Sequence, residues 1–244
     1  MATERLDKII ALQCNMTRKE ARQVIRRGEV SLAGQAVTDP GTAVEERAAL
    51  TFRGQALSVK EHIYLIMNKP KGVICATEDT RAKTVLDLVP EPLKRKGLFP
   101  VGRLDKDTTG LLLLTDDGAF AHELLSPRRE IYKTYFALLD GEVTEETARR
   151  FREGVTLADG TVCRPAFLKP LGPGAAEIKI CEGKYHQIKR MFGTEGLGVN
   201  ELKRLALGEF YLPDGLKEGE CREFDKTVLV PLFFGKMAVS VHID

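Results

Sequence analysis

The chain has 244 residues, of which 43% are hydrophobic and 30% charged, and its formal net charge is +2. This composition indicates a folded globular protein with one large domain or two unequal ones. The N-terminus has no apolar signal segment and no apolar run approaches the length of a membrane span, so we expect a cytosolic protein. The five cysteines are odd in number and lack CxxC spacing. This number and spacing exclude a disulfide framework and a zinc site, and they indicate that the cysteines are buried, reduced thiols.

The first segment, residues 1–59, predicts two helices followed by a hairpin. Apolar residues within 6–10 have helical spacing. Thr17 and Glu20 have the spacing of a capping box, which predicts a second helix that ends near Gly28. The pattern of residues 30–37 predicts a hairpin that turns at Ala33–Gly34.

Three arginines of the second helix, Arg18, Arg22 and Arg26, lie four residues apart and therefore share one face. An ordinary solvated helix face is one interpretation. Because this stripe contains no acidic residue, we favour a surface that contacts phosphates. The segment resembles the RNA-binding domain named after ribosomal protein S-four, through R-L-D-K-I-I-A at 5–11, T-R-K-E-A at 17–21 and I-R-R-G-E-V-S-L-A-G-Q-A-V at 25–37. The resemblance implies RNA binding through the arginine helix and the hairpin.

The second segment, residues 60–244, contains many strands with interspersed helices. Residues 53–61 are polar and are predicted to form the linker before it. We expect an α+β fold, in which a small N-terminal α/β domain precedes a larger mixed, mainly antiparallel sheet domain with flanking helices. Strands are predicted at 63–67, 111–114, 131–139, 162–169, 176–180 and 202–208, and helices at 85–89, 119–125, 144–153 and after Gly183.

The stretch 101–118 organises the second segment. Residues 111–114 form a continuous leucine run closed by turn residues, which predicts a strand buried on both faces. The polar loop before it, Gly102–Gly110, carries Arg103, Asp105, Lys106 and Asp107, and a loop attached to a rigid core element is a common position for reactive side chains. Taken alone, the loop is better explained as a solvated turn whose Asp and Thr side chains cap the local backbone.

A second polar stretch, Glu182–Phe192, follows a predicted strand. Tyr185, Ile188 and Phe192 have helical spacing and are expected to face the core, which places Lys189 at the edge of the buried face. Residues 184–204 hold five basic residues against two acidic ones. Such a local excess of positive charge indicates an anionic partner.

Three motifs together resemble those of RNA pseudouridine synthases: G-R-L-D at 102–105, K-T-Y at 133–135 and E-G-K-Y-H-Q-I-K-R-M-F at 182–192. N-K-P-K-G at 68–72 and L-K-R-L-A-L-G at 202–208 also fit. The small-subunit ribosomal pseudouridine synthases (RsuA type) have the same domain order, and the resemblance extends over about residues 5–223. It does not extend to the tail after Lys226, and we assign no function to the apolar part of that tail from Pro231.

The resemblance implies that the protein isomerises a specific uridine of 16S ribosomal RNA to pseudouridine. Asp105 would be the essential aspartate, as nucleophile or as proton abstractor. Lys189 would be the basic residue that pairs with this aspartate. Tyr135 would stack on the target uracil, Leu207 would pack under it, and Arg103 would hold the flipped nucleotide out of its helix. Basic residues expected to bind RNA are Arg18, Arg22, Arg26, Lys184 and Arg190.

The isomerisation contains no redox step and no group donor, so we expect no metal, no nucleotide and no other cofactor. Expected partners are ribosomal RNA or an assembling small subunit, with no membrane, and a monomeric enzyme. Two alternatives stay open: the same reaction on 23S ribosomal RNA, and a ribosome-assembly factor that binds RNA without catalysis.

Overall fold

A computed structural model describes residues 3–45, 48–57 and 59–234, and the chain forms two compact units. The first runs to Ile63 and also contains Glu91–Leu98, and the second holds Tyr64–Pro90 and the chain from Phe99 onward. These units differ from the predicted segments 1–59 and 60–244 chiefly in the placement of 91–98.

Arg95 explains why that short segment belongs to the first unit. Its Nη2 donates hydrogen bonds to the carbonyl oxygens of Lys60 and Glu61, each at 2.7 Å. Arg95 is itself buried. A contact between residues this far apart in sequence has no local signal.

The first unit packs two helices with short strands. The elements are β1 (Thr3–Arg5), α1 (Leu6–Gln13), α2 (Arg18–Arg26), β2 (Val30–Leu32), β3 (Gln35–Ala36), β4 (Ala43–Glu45), β5 (Leu50–Phe52) and β6 (Gln55–Leu57). Strand β1 pairs with β4, and the other four strands form a sheet in the order β3-β2-β5-β6. The core consists mainly of aliphatic residues from both helices and from β2, β4 and β5.

Helix α2 begins as the sequence predicts. The backbone N–H of Glu20 donates to Thr17 Oγ1 at 3.2 Å, and the N–H of Thr17 donates to the Glu20 carboxylate at 2.7 Å. These reciprocal bonds satisfy two of the N–H groups that a helix start leaves unpaired. The β2–β3 hairpin is also confirmed, with Ala33 and Gly34 in its turn at φ +48° and +83°.

The predicted linker at 53–61 is wrong in its first half. Arg53 and Gly54, both with positive φ, form a two-residue turn between the paired strands β5 and β6. Such turns join antiparallel strands that twist in the usual sense. The strands are only three residues long, which is too short for a clear alternation of apolar and polar residues.

The arginine stripe of α2 is not free of acidic partners. The Asp7 carboxylate, fully buried on α1, accepts from Arg18 Nη2 at 2.5 Å, from Arg22 Nε at 2.8 Å and from Arg5 Nε at 3.2 Å. Burial raises the pKa of Asp7, but the hydrogen bonds from the arginines outweigh burial and hold that pKa well below its ordinary value. Two of the three stripe arginines therefore stabilise the fold, whereas Arg26 is exposed.

The second unit is built on a nine-stranded sheet. Its elements are β7 (Tyr64–Lys69), β8 (Phe99–Pro100), β9 (Thr109–Thr115), α3 (Gly118–Leu125), β10 (Lys133–Leu139), α4 (Glu145–Glu153), β11 (Phe167–Gly172), β12 (Ala175–Ile180), α5 (Gln187–Thr194), β13 (Val199–Leu207), β14 (Phe210–Tyr211), β15 (Cys221–Glu223) and α6 (Lys226–Phe234). The main strand order is β11-β12-β10-β13-β9-β7-β15. Every pairing in it is antiparallel except β13 with β9. The α+β prediction is confirmed.

Strand β9 lies inside this sheet, as the leucine run predicts. Leu111–Leu114 are fully buried, and β9 contacts both β7 and β13. Gly110 marks the approach of β9 to β13: its φ is +98°, and a Cβ there would lie 2.2 Å from the carbonyl oxygen of Arg204. Only glycine fits this position.

Other expectations need correction. The helix at 85–89 is a 3₁₀ turn, Leu86–Leu88, and the strand predicted from 162 begins at Phe167. Cys163 and Cys181 are buried as expected, while Cys14, Cys75 and Cys221 are only partly buried.

The apolar tail begins inside a helix. Leu229 and Phe233 of α6 pack into the main core of the second unit, and the residues from Gly235 onward lie outside the described part of the chain. Within residues 3–45, 48–57 and 59–234, no helix has the length and apolarity needed to cross a membrane.

Candidate active site

The polar loop 102–108 connects β8 to β9 and is held by a lysine beneath it. Lys69, the last residue of β7, is fully buried. Its Nζ donates to the carbonyl oxygens of Thr108 at 2.9 Å, Asp105 at 3.1 Å and Lys106 at 3.4 Å, and to that of Pro70 at 3.1 Å. Burial lowers the pKa of Lys69. One buried ammonium thus fixes the backbone of the loop that carries Asp105.

The Asp105 carboxylate lies between two basic side chains of the 182–192 segment. His186 Nε2 is 3.6 Å from Asp105 Oδ1, and Lys189 Nζ is 4.0 Å from Asp105 Oδ2. The Asp105 side chain is 30% exposed and that of Lys189 is 25% exposed. Both groups therefore lie at the edge of a cavity, which agrees with the predicted position of Lys189 at the edge of the buried face.

Lys189 contacts Asp107 more closely than Asp105. Its Nζ donates to both Asp107 oxygens, at 2.5 and 2.6 Å. The hydrogen bond from Lys189 lowers the pKa of Asp107. Asp107 is 56% exposed, so this ion pair is accessible to solvent. The sequence motifs name the lysine, but they do not indicate which of the two carboxylates it contacts.

Tyr135 and Leu207 meet Asp105 at one cavity of about 780 Å³. Tyr135 is buried in the middle of the sheet on β10, and Leu207 is buried at the end of β13. Arg103 is exposed and borders the same cavity. Lys189 borders a smaller adjoining cavity, which Arg103, Asp105 and Tyr135 also line. The structure therefore brings four of the predicted site residues together and places Lys189 beside them.

Tyr185 departs from its predicted core position. It is 74% exposed and borders the cavity, and its ring stacks on His186 with a centroid distance of 3.9 Å. Helix α5 begins only at Gln187, because His186 adopts φ +48° and interrupts the helical spacing. The result is an exposed aromatic surface beside Asp105.

The basic residues predicted to bind RNA near this cavity have acidic partners. Lys184 borders the cavity and pairs with Glu182 at 2.9 Å. Arg190 pairs with Asp159 at 2.5 Å. Both side chains remain about one-third exposed, so an RNA phosphate can compete for them.

Among the cations that border the cavity, Lys133 and Arg204 had no role in the sequence interpretation. Lys133 lies on β10 and Arg204 on β13, and both border the cavity. Burial, and then the charge of Arg204, lower the pKa of Lys133. K-T-Y and L-K-R-L-A-L-G contain these residues, but strand alternation gives no sign that Arg204 turns inward. No group of three or more His, Cys, Asp or Glu side chains in the described ranges is placed to hold a metal ion.

The arrangement combines one accessible carboxylate, a buried aromatic ring, an apolar floor and several cations. A cavity with these groups can hold a flat polar ring against Tyr135 and Leu207 while Asp105 reaches the atoms beside it. The Asp107 carboxylate is held by Lys189, so it does not form a glycosidase-like pair with Asp105.

Comparison with known proteins agrees with this site. Residues 63–194 match the family model described as RNA pseudouridylate synthase, and residues 4–48 match the S4 domain. The chain is 40% identical to an uncharacterized RNA pseudouridine synthase of Bacillus subtilis, covering 92% of this chain and 96% of the relative. It is 39% identical to ribosomal small subunit pseudouridine synthase A of Escherichia coli, covering 89% and 95%.

A solved structure supports the same assignment. A crystal structure of a pseudouridylate synthase matches with a TM-score of 0.66 and 35% identity, over 93% of this chain and 99% of that one. The similarity thus includes both the sequence and the fold. The chain belongs to the RNA pseudouridylate synthase family and carries an S4 domain at its N-terminal end.

Proposed function

We propose that this RNA pseudouridine synthase isomerises one uridine of small-subunit (16S) ribosomal RNA, with Asp105 as the residue that starts the reaction. The observation that carries the proposal is the meeting of Asp105, Tyr135 and Leu207 at one cavity. The relatives named ribosomal small subunit pseudouridine synthase A support the choice of RNA, since the similarity extends over most of both chains.

In the proposed complex the target nucleotide leaves its helix and its uracil enters the cavity. Unstacking a base costs a few kcal/mol. Contacts of the base with Tyr135 and Leu207, and of the phosphate backbone with Arg103, offset this cost. Asp105 then acts on the sugar or on the base, with the basic side chains of His186 and Lys189 beside it at 3.6 and 4.0 Å.

The first unit would contribute affinity through phosphate contacts of α2 and the following hairpin. Arg18 and Arg22 are held by Asp7 and are only half-exposed, so their guanidinium groups are already oriented when RNA arrives. Lys184 and Arg190 would add contacts near the cavity. We further propose that the enzyme works as a monomer, in the cytoplasm, on ribosomal RNA or on the assembling small subunit.

The target is tested by mapping pseudouridines in the ribosomal RNA of a strain that lacks the gene. We expect one site in 16S RNA to be lost and then restored by the wild-type gene. Loss of a site in 23S RNA would refute the small-subunit target in favour of the large subunit. Unchanged maps of both RNAs would favour the assembly factor without catalysis.

Replacing Arg26 with glutamine should weaken RNA binding a few-fold and reduce the salt dependence of binding by about one counterion, because one phosphate contact is lost. Arg26 suits this test because it is exposed and pairs with no carboxylate among the described residues. Reversing Arg18 or Arg22 would instead disturb buried Asp7. Binding is measured by titration at several salt concentrations.

Arg152→Gln is the matched control, since it removes an exposed arginine from a helix of the second unit, α4. We expect its affinity and salt dependence to equal those of the wild type. Equal slopes for Arg26→Gln and the wild type would show that α2 does not contact phosphate at this position.

A further inference from the structure

Arg204 faces the cavity because of an irregularity in β13. Lys133 of β10 pairs with Leu207, but Tyr135, two residues further along, pairs with Arg204. Leu205 is therefore the extra residue of a bulge. A bulge shifts the alternation of side chains and redirects those that precede it. Arg204 and Leu207 consequently border the same cavity, although their separation of three would place them on opposite faces of a regular strand.

The Arg204 guanidinium is buried without a counter-charge. The residue is 2% exposed, and its Nε donates to the Leu111 carbonyl oxygen at 2.7 Å. Its Nη2 is buried and has no hydrogen-bond partner among the described residues. No carboxylate in the described ranges lies within ion-pair distance of it. The charge of Arg204 contributes to lowering the pKa of Lys133, a neighbouring group of the same sign.

Such an arrangement is costly for the empty protein. A buried cation without a counter-charge is destabilising, and a second cation beside it adds repulsion. Two other basic side chains near Asp105 differ in this respect: Lys189 is neutralised by Asp107, and His186 faces Asp105. Arg204 is thus the buried guanidinium whose charge remains available to whatever occupies the cavity.

We propose that Arg204 stabilises the negative charge that develops on the uracil when it separates from the sugar. This inference rests on the proposed position of the uracil against Tyr135 and Leu207. When the C1′–N1 bond breaks, its electron pair stays with the base, and the charge spreads over N1 and the two carbonyl oxygens. The base then turns, and C5 forms the new bond to C1′. C5 loses its proton and N1 gains one, so the product is an isomer of the substrate.

Because the negative charge develops on the uracil ring, the cation that stabilises it is needed beside that ring. Fixed cations and dipoles in a dry site stabilise charge that exists only during the reaction, and they need no reorganisation at that moment. Arg204 is held by strand pairing on both sides, since it pairs with Tyr135 on β10 and with Gly110 on β9. The bulge therefore places a rigid positive charge next to the ring on which the uracil is proposed to stack.

The experiment compares Arg204→Gln and Arg204→Lys with the wild type and with Lys169→Gln, a control at an exposed position of β11. The wild type is first assayed on 16S and 23S fragments, and the comparison uses the RNA that it modifies. This order separates an error in the proposed target from an error about Arg204. The quantities measured are the single-turnover rate, the dissociation constant for RNA and the melting temperature.

For Arg204→Gln we expect a rate lower by about 10²-fold, as for loss of one preorganised donor. RNA affinity should change less than about twofold. The melting temperature should stay within about 3 °C of the wild type or rise, because a buried cation without a counter-charge is removed. Arg204→Lys should restore part of the rate, and Lys169→Gln should match the wild type.

Two results would overturn the proposal. An unchanged rate in Arg204→Gln would show that the charge has no role in the reaction. A rate loss that accompanies a marked fall in melting temperature, and that Arg204→Lys does not relieve, would show that Arg204 only joins β9 to β13.

Discussion

The Asp105→Asn protein is expected to bind ribosomal RNA like the wild type and to form pseudouridine about 10³-fold more slowly. Asparagine keeps the shape of the side chain and removes its charge. The geometry supports a specific effect, because Asp105 borders the cavity between His186 and Lys189 at 3.6 and 4.0 Å. Binding should persist, since the contacts proposed for RNA are spread over both units. The measurement is single-turnover product formation on a 16S fragment, with binding followed in parallel.

Asp107→Asn is the matched control, two residues away on the same loop. It removes the close partner of Lys189, so the lysine becomes free to approach Asp105. We expect the rate to fall only partly. Full activity of the Asp105→Asn protein would show that Asp105 has no essential role in the reaction. Loss of both binding and activity in that variant would instead favour a structural role for the residue.

Replacing Lys69 with methionine should destabilise the second unit by about 3 kcal/mol and disorder the loop that carries Asp105. Methionine fills a similar volume but leaves the carbonyl oxygens of Pro70, Asp105, Lys106 and Thr108 without their shared donor. The Asp105 and Lys106 carbonyls keep a backbone donor, whereas those of Pro70 and Thr108 are left without a donor among the described residues and bear the cost of lost hydration. The rate of pseudouridine formation should fall with the order of the loop.

Hydrogen exchange tests this effect locally, even where much of the variant protein unfolds. The N–H of Thr108 donates to the Asp105 carbonyl, and that of Gly72 donates to the Lys106 carbonyl. Both should exchange faster in the variant. Lys71→Met, at an exposed position of the same turn, should leave stability and both exchange rates unchanged. Unchanged exchange in Lys69→Met would show that the loop is held by other contacts.

Local elements were predictable because their signals are local. The capping box at Thr17 and Glu20 starts α2 where expected, and the run Leu111–Leu114 forms a buried strand. The hairpin that turns at Ala33–Gly34 also forms. In the capping box and the hairpin, residues close in sequence satisfy each other's hydrogen bonds. In the leucine run, the uninterrupted apolar side chains are stable only in the core.

The sequence predicts which residues belong to the candidate site, but it does not predict how their side chains are arranged. The motifs around Asp105, Tyr135 and Lys189 indicate the family, and the comparisons confirm it. Motif spacing does not indicate distances between side chains. Lys189 contacts Asp107, and Tyr185 is exposed because a single left-handed residue, His186, delays the start of α5. Contacts over long sequence separations depend on how strands are paired, which no local pattern encodes.

By itself the sequence determined the α+β class, most helices and strands, and membership in the pseudouridine synthase family, because apolar periodicity, capping residues and motifs are properties of short segments. Only the tertiary structure decided which charges are neutralised. Asp7 forms ion pairs with two arginines of the α2 stripe, and Lys69 lies fully buried under the loop that carries Asp105. The bulge at Leu205 turns Arg204 into the cavity. The physical reason is that burial and pairing of a charge depend on residues brought together from distant parts of the chain.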